Sequence, residues 1–376
     1  MSNNSRKVSN ALIFIIAVAL GGIIGFISSY FDLFRGIFEI PLYFSLPILA
    51  VTFFISLYLS IIIHELGHLI FGLMSGYKFC SFRIGSLMLM KTEEGLKFKS
   101  FSVPGTAGQC LLEPPDLKGG RIPHVFYNLG GVILNAVFAV GALLLMLLIG
   151  ADSVFFSVFA IFFLMNAISA LMNGIPMRMQ AVDNDGYNTL AVGSDREAMR
   201  AFWIQLKITA ETARGVRIKR MPAEWFEIPE KSDNSFISSI SVFAANRLLD
   251  EGRFDEAEDL IYELMHEEYN VPGLYKTLMT TDLIYLKAVL GAPKEECDEL
   301  LTKEQTAFMS SMKKSLEVTR TDYTYMLLYN RDTVSAEAIR ERFEKLCESH
   351  PYEAEVYAER ELIRVAFEKY KETKIS

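Results

Sequence analysis

Ile61-Ile62-Ile63-His64-Glu65-Leu66-Gly67-His68-Leu69-Ile70 combines three ionisable side chains with an otherwise apolar run. Two histidines four residues apart lie on one face of a helix, with Cβ atoms about 5–6 Å apart. That spacing lets both imidazoles reach one tetrahedral Zn²⁺ ion, and Glu65 beside them can take a proton from the metal's water. The pattern predicts that His64 and His68 bind zinc and that Glu65 is catalytic.

The motif lies inside a segment long enough to cross a bilayer. One crossing needs about 20 apolar residues. The sequence offers four such segments, at about 11–30, 44–74, 126–150 and 153–175. Ionisable side chains in hydrocarbon are costly unless they are paired or bound to an ion. The motif is therefore more indicative of a metal site here than it would be in a soluble helix.

Composition divides the chain into two parts. Hydrophobic residues make up 51% and charged residues 22% of the 376 residues, and the long apolar runs lie almost entirely before residue 176. We therefore predict a mainly α protein, with a membrane-embedded domain at 1–190 and a cytoplasmic α-helical domain at 191–376. Residues 244–257 resemble the helix–turn–helix of a tetratricopeptide unit, with a plain helical bundle as the alternative.

The distribution of basic residues predicts the orientation. Arg6 and Lys7 lie in the N-terminal tail, and seven lysines and arginines lie in the 76–124 loop. The 31–43 loop carries Arg35 alone. The positive-inside rule then places both termini and the long loop in the cytoplasm of a multi-pass cell-membrane protein.

Charge and cysteine content argue against two further classes of site. The net charge of −8 comes without a basic stripe, which makes nucleic acid an unsuitable partner. The four cysteines show no CxxC pairing, so neither a disulfide framework nor a thiolate zinc site is expected.

The long loop is predicted to contain β-structure. Residues 79–90 and 96–103 are rich in β-forming residues and flank a charged turn at 92–95. This pattern favours a membrane-proximal β-hairpin over 79–103, followed by a loop at 104–109. An edge strand of that hairpin would accept an extended peptide by strand addition, and the alternative is a small sheet that merely caps the helices.

A catalytic zinc site needs a third protein ligand and keeps its fourth position for water. His124 lies at a loop–helix boundary, and His266 and His350 lie in the predicted soluble part. Asp185 is better placed, because it follows the fourth predicted span on the side to which the second span returns. Asp183, two residues earlier, is the competitor, and the residues alone leave both aspartates open.

An H-E-x-x-H inside an apolar span, followed much later by an N-x-x-P…D-G element, resembles the site-2 protease family of intramembrane zinc metalloproteases. Asn173, Pro176, Asp185 and Gly186 match the second element. In that family the aspartate before the glycine is the third zinc ligand, which implies Asp185 here. The spacer from Pro176 to Asp185 is longer than in the usual motif, which keeps Asp183 as the alternative. No region resembles the PDZ domain that many relatives carry.

A second element, Gly130-Gly131-Val132-Ile133-Leu134-Asn135, resembles the G-x-x-x-N motif of the same family. The resemblance implies that Asn135 orients substrate or an oxyanion, and Asn173 is likewise a candidate for substrate binding. The alternative is helix packing by the glycines, with Asn135 in a buried hydrogen bond.

The expected function is that of a zinc metalloendopeptidase acting on transmembrane or membrane-associated proteins or peptides, in regulated proteolysis or peptide processing. Zn²⁺ is the expected cofactor, the lipid bilayer is the surrounding medium, and the C-terminal helices are expected to contact a protein partner. Two alternatives stay open: a non-proteolytic membrane zinc protein and a docking scaffold with a degenerate site. The first gives Glu65 no role, and the intact motif argues against the second.

Overall fold

The fold is taken from a computed structural model of the chain. It describes residues 22, 25, 28–30, 32–92, 94–102, 106–178, 183–230, 232, 234–266, 271 and 273–375. The first predicted span, at about 11–30, falls almost entirely outside the described residues.

Three of the described helices are long and apolar enough to cross a membrane. After a single turn, α1 (Arg35–Phe38), they are α2 (Leu42–Met74), α3 (His124–Leu148) and α4 (Val154–Gly174). Only 17% of the most apolar window of α2 is buried inside the protein, and large side chains such as Phe54 and Ile55 remain exposed. An apolar surface of this extent is suited to lipid and unfavourable in water. The predicted membrane-helix fold is confirmed over these three segments.

Between α2 and α3 the chain forms a four-stranded antiparallel sheet. Its strands, in spatial order β3-β2-β1-β4, are β1 (Lys78–Ile84), β2 (Leu87–Thr92), β3 (Gly95–Ser100) and β4 (Gly108–Glu113). The predicted β-structure is therefore present, and it is larger than a hairpin.

Two local features explain the difference from the predicted hairpin. Gly85 has a φ of +58° and opens a two-residue turn between Ile84 and Leu87, which divides the predicted strand at 79–90 into β1 and β2. Gly108 and Gln109 were expected in a loop, but they begin β4 because they pair with β1. Such long-range pairing is not visible in a local sequence pattern.

The two faces of the sheet contact different elements. On one face, Met88 and Met90 are buried and pack against Tyr352 from the C-terminal part of the chain. On the other face, Leu112 of β4 lies against Gly72 of α2, where a Cβ would collide with the leucine side chain. The sheet is thus fixed on both sides, with β4 held beside α2.

After α4 the chain is mainly helical. The helices are α5 (Asp185–Gly193), α6 (Arg196–Ala213), α7 (Ser235–Glu251), α8 (Phe254–His266), α9 (Gly273–Leu290), α10 (Lys294–Leu300), α11 (Lys303–Ser311), α12 (Leu316–Leu328), α13 (Thr333–Ser349) and α14 (Glu353–Ile375), with 3₁₀ turns at Ile218–Arg220 and Ala223–Trp225. Their shared core includes the fully buried Leu264, Leu283 and Phe343. Residues 244–257 do form a helix–turn–helix, but a tetratricopeptide array is not confirmed.

The chain separates into two compact units. One comprises residues 1–64 and 131–172, and the other comprises residues 65–130 and 173–376. The first contains most of the membrane-length helices, and the second contains the sheet and the C-terminal helices. The functional boundary near residue 190 stays a prediction.

The loop between α13 and α14 places His350 against the sheet. Its ring meets Phe101 edge-on at 5.2 Å between centroids, and burial lowers the pKa of His350 to about 4. Glu355 lies 3.5 Å from Nε2, but its half-exposed carboxylate offsets little of that burial. An unperturbed histidine has a pKa of about 6.5, so the unfolded chain binds an additional proton between these two values.

We therefore expect the contribution of His350 to stability to be lost as the pH falls from about 6.5 towards 4. His350→Asn keeps an acceptor for the backbone N–H of Tyr352 but removes the titrating ring. When both proteins are measured in one detergent, the melting temperature of the wild type should fall relative to that of the variant as the pH decreases across this range. Parallel curves would contradict the assignment of this pH dependence to His350.

Candidate metal centre

Helix α2 carries both histidines of the motif, one turn apart. Nε2 of His68 lies 3.5 Å from Oδ2 of Asp185, which begins α5. One possible ligand atom from each of His64, His68 and Asp185 lies within 4.8 Å of the other two. The structure therefore brings these three side chains together, although 116 residues lie between His68 and Asp185 in the sequence.

Asn135 on α3 orients His64. Its Oδ1 lies 2.8 Å from Nδ1 of His64, and its Nδ2 donates to the backbone carbonyl of Ser60 at 3.0 Å. Because a backbone carbonyl only accepts, the amide nitrogen must face Ser60 and the amide oxygen must face His64. His64 then carries its proton on Nδ1, which leaves the lone pair of Nε2 for a metal.

Two residues of α4 complete this network. Asn166 Oδ1 accepts from Asn135 Nδ2 at 2.9 Å, and Ser169 Oγ donates to Asn135 Oδ1 at 3.2 Å. Asn166 in turn donates to the carbonyl of Phe162 at 2.9 Å, so its orientation is fixed as well. Both amides are completely buried and need these partners. Sequence reasoning missed Asn166, although an asparagine in an apolar span is itself a signal for a structural or functional role.

His68 is held in the same tautomer by the backbone. Its Nδ1 lies 2.8 Å from the carbonyl oxygen of Tyr127, which can only accept, so the proton again lies on Nδ1. The ring of Tyr127 stacks on Tyr77 at 4.6 Å between centroids, which fixes this part of α3. Nε2 of His68 is left facing Asp185.

Asp185 is positioned by its neighbour Asn184, the N-cap of α5. Asn184 Oδ1 accepts from the backbone N–H of Tyr187 at 2.9 Å and of Met177 at 3.0 Å. Its Nδ2 donates to the carbonyl of Ile175 at 2.6 Å. These bonds join the segment after α4 to the start of α5. Sequence reasoning did not single out Asn184, although asparagine before a helix is a typical cap.

Asp183 and Asp185 face different partners. Oδ2 of Asp183 accepts from Ser235 Oγ at 3.4 Å, and Asp183 does not join the group of possible metal ligands among the described residues. Gly186 packs so closely on the carbonyl of Gly174 that a Cβ would collide with it. This close approach fixes the turn from which the Asp185 carboxylate reaches His68.

Glu65 is partly buried and lies against Gly108, the first residue of β4. A Cβ at position 108 would lie 2.6 Å from Oε1 of Glu65. A side chain at position 108 would therefore displace the Glu65 carboxylate, and the backbone of β4 forms one wall beside this carboxylate.

The two predicted substrate-binding asparagines lie in different settings. Asn173 is the penultimate residue of α4 and is partly buried. Asn135 is completely buried, and its amide is occupied by the network around His64. Contact of either residue with substrate stays a prediction.

The donor set fits Zn²⁺. Two imidazole nitrogens and one carboxylate oxygen, with a fourth position for water, are the ligands of many catalytic zinc sites. Hydrogen bonds at both Nδ1 atoms are those that hold metal-binding histidines in one tautomer.

Gly131 on α3 leaves the room that the His64 ring occupies. A Cβ at this position would lie 2.6 Å from Nδ1 of His64, whereas a Cβ at Gly141 of the same helix meets no atom within 4 Å. We expect Gly131→Ala to displace the ring and weaken zinc binding by about 10- to 100-fold. Gly141→Ala is the matched control and should bind zinc like the wild type. Equal zinc affinity of all three proteins, measured by competition with a chelator, would contradict this packing argument.

The sequence model of peptidase family M50 matches residues 52–321, well over half of the chain. This match includes α2 with its histidine motif, the sheet, α3, α4 and Asp185. No curated protein and no solved structure matches the chain. Together with the three apolar helices, the match identifies the chain as a membrane protein that belongs to peptidase family M50, whose members are zinc metalloproteases.

Proposed function

We propose that this protein is a zinc metalloendopeptidase that cleaves peptide bonds of membrane-embedded substrates, in regulated proteolysis or peptide processing. The observation that supports the proposal best is the convergence of His64, His68 and Asp185 within 4.8 Å beside Glu65. Family membership supports the reaction type, and the placement of the motif in α2 supports a site at membrane depth.

In the proposed mechanism, His64 and His68 would hold the ion through Nε2, and Asp185 would hold it through a carboxylate oxygen. Bound zinc supplies a Lewis acid that lowers the pKa of its water and polarises the scissile carbonyl. Glu65 takes the proton from the attacking water and passes it to the leaving amine nitrogen. Asp183, which contacts Ser235, has no role in this scheme.

Asn135 has a positioning role in this proposal. Its Oδ1 keeps the proton of His64 on Nδ1 and so keeps Nε2 available. Any contact between Asn135 and substrate would require its buried amide to leave this network. Asn173, which is partly exposed at the end of α4, is the better of the two for direct substrate contact.

A transmembrane substrate must unwind before cleavage, because a helix occupies its carbonyls in i→i−4 hydrogen bonds. β4 is an edge strand of the sheet, and it begins beside Glu65. An extended segment of substrate that adds to this edge would lie next to the carboxylate. We propose strand addition at β4, within the sheet that includes the predicted hairpin.

The remaining assignments follow from charge and composition. We propose that both termini and the sheet lie on the cytoplasmic side of the cell membrane, as the basic residues of the 76–124 loop favour. We also propose that the C-terminal helices form a cytoplasmic domain that contacts a protein partner.

The proposal is tested by measuring zinc content and cleavage of a synthetic single-span peptide, with the wild-type protein and with Glu65→Gln. A zinc-containing wild type that cuts the peptide, and a zinc-containing variant that does not, support a peptidase. Zinc without cleavage in either protein would support the non-proteolytic zinc protein, and a chain without zinc would support the scaffold.

A further inference from the structure

Arg83 on β1 is a buried cation that the proposed chemistry does not use. Its side chain is 1% exposed. Nη1 donates to the carbonyl of Gly85 at 2.7 Å, and Nη2 donates to Thr106 Oγ1 at 2.5 Å and towards the carbonyl of Gly108 at 3.5 Å. One guanidinium therefore joins the β1–β2 turn to the segment that leads into β4.

The segment held by Arg83 is the one that faces Glu65. Gly108 lies against the Glu65 carboxylate, and the carbonyl of Ala107 accepts from the N–H of Gly85 at 2.8 Å. The hydrogen bonds of the Arg83 guanidinium thus fix residues 106–108 from one side, and strand pairing of Gly108 with Ile84 fixes them from the other. A shift of this segment would change the space beside Glu65 directly.

Arg83 has an energetic cost that an apolar residue at the same position would not have. Burial lowers the pKa of Arg83, and the negative charge of Glu65 partly opposes this effect. A buried cation costs several kcal/mol unless its donors are satisfied, and Nε of Arg83 has no hydrogen-bond partner among the described residues, whereas an apolar residue would pack beside Met88 without that cost. The fork geometry of arginine lets Nη1 bind the β1–β2 turn while Nη2 binds Thr106, which lysine cannot span in the same way.

We propose that Arg83 is a positioning residue for the peptidase reaction: it holds residues 106–108 as the wall against which the extended substrate lies beside Glu65. This inference rests on the proposed function. It assigns to Arg83 no contact with the reacting atoms, and it predicts that turnover depends on Arg83 through the fixed position of the 106–108 segment.

The test compares Arg83→Gln, Arg83→Lys and Thr106→Ala with the wild type, in full-length protein in detergent. The probe is the synthetic single-span peptide used above. We expect Arg83→Gln to lower kcat/KM by about 10- to 100-fold and Arg83→Lys to restore part of it. Thr106→Ala should lower kcat/KM on its own, but it should have little further effect in the Arg83→Gln protein, because the same hydrogen bond is lost in both.

Arg214→Gln is the matched control. This arginine pairs with Glu113 at the far end of β4, where Lys207 also binds the same carboxylate. The Arg214→Gln protein should therefore keep near wild-type peptidase activity. Zinc content should be unchanged in every variant, since none alters a proposed ligand.

Amide hydrogen exchange supplies a readout that does not depend on catalysis. Gly85, whose N–H bonds to Ala107, should exchange faster in Arg83→Gln and stay protected in Arg214→Gln. If wild type cuts and Arg83→Gln cuts equally well, the positioning role is wrong. If the wild type binds zinc but does not cut the peptide, the proposed function fails. Unchanged exchange at Gly85 in Arg83→Gln would overturn the structural part of the inference, whether or not the protein cuts the peptide.

Discussion

Glu65→Gln is expected to reduce peptide cleavage by about 10²- to 10⁴-fold, the usual contribution of a general base, while the protein keeps its zinc. Glutamine has the same shape as glutamate, so it preserves the contact with Gly108 and the start of β4. An amide, however, cannot take a proton from water or deliver one to the leaving nitrogen. Single-turnover cleavage of the single-span peptide and zinc analysis of the same sample measure both effects.

Glu94→Gln is the matched control for the loss of a carboxylate. Glu94 is exposed, and among the described residues its ion-pair partner is the surface residue Lys97. This variant should cleave and bind zinc like the wild type. Full activity of Glu65→Gln would exclude the proposed mechanism, and loss of zinc from Glu65→Gln would instead indicate that Glu65 is itself a ligand.

The helical membrane segments were predictable because their signal is local. Long apolar runs fixed the three described spans to within two residues, and the i,i+4 spacing placed His64 and His68 on one helical face. The same holds for the existence of β-structure after α2. These features need no information about what a residue contacts elsewhere in the chain.

The topology of the sheet was not predictable in the same way. A single glycine, Gly85, decided that residues 79–90 form two strands, and isolated glycines in a strand pattern also occur at bulges. β4 exists because residues 108–113 pair with β1, and its sequence begins with glycine, which is a weak strand former. Tertiary pairing outweighed local propensity.

The surroundings of the histidines were also beyond sequence reasoning. Asn135 was singled out through a family motif, but the partner that it contacts, His64, emerges only when α2, α3 and α4 are packed. The carbonyl of Tyr127 beside His68 carries no side-chain signal at all. Backbone acceptors and buried amides act through geometry, which a linear pattern does not contain.

Asp185→Ala is expected to lower zinc affinity by more than about 100-fold and to abolish cleavage, because loss of a direct ligand should exceed the 10- to 100-fold cost of losing an outer hydrogen-bond partner. Asp183→Ala is the matched control, since both changes remove one negative charge near the N-terminus of α5 and so have similar effects on that helix. The carboxylate of Asp183 contacts Ser235, and its loss should leave zinc affinity near that of the wild type.

The pair of aspartate variants decides between the two ligands that the sequence left open. Asn184 lies between them and holds the start of α5 through bonds to Met177, Tyr187 and Ile175, so neither substitution should unfold the turn. Equal melting temperatures would show that any loss of zinc arises from the missing ligand. Retained zinc in Asp185→Ala together with loss in Asp183→Ala would assign the third ligand to Asp183, and the turn at Gly186 would then have to differ from the packing against Gly174 described above.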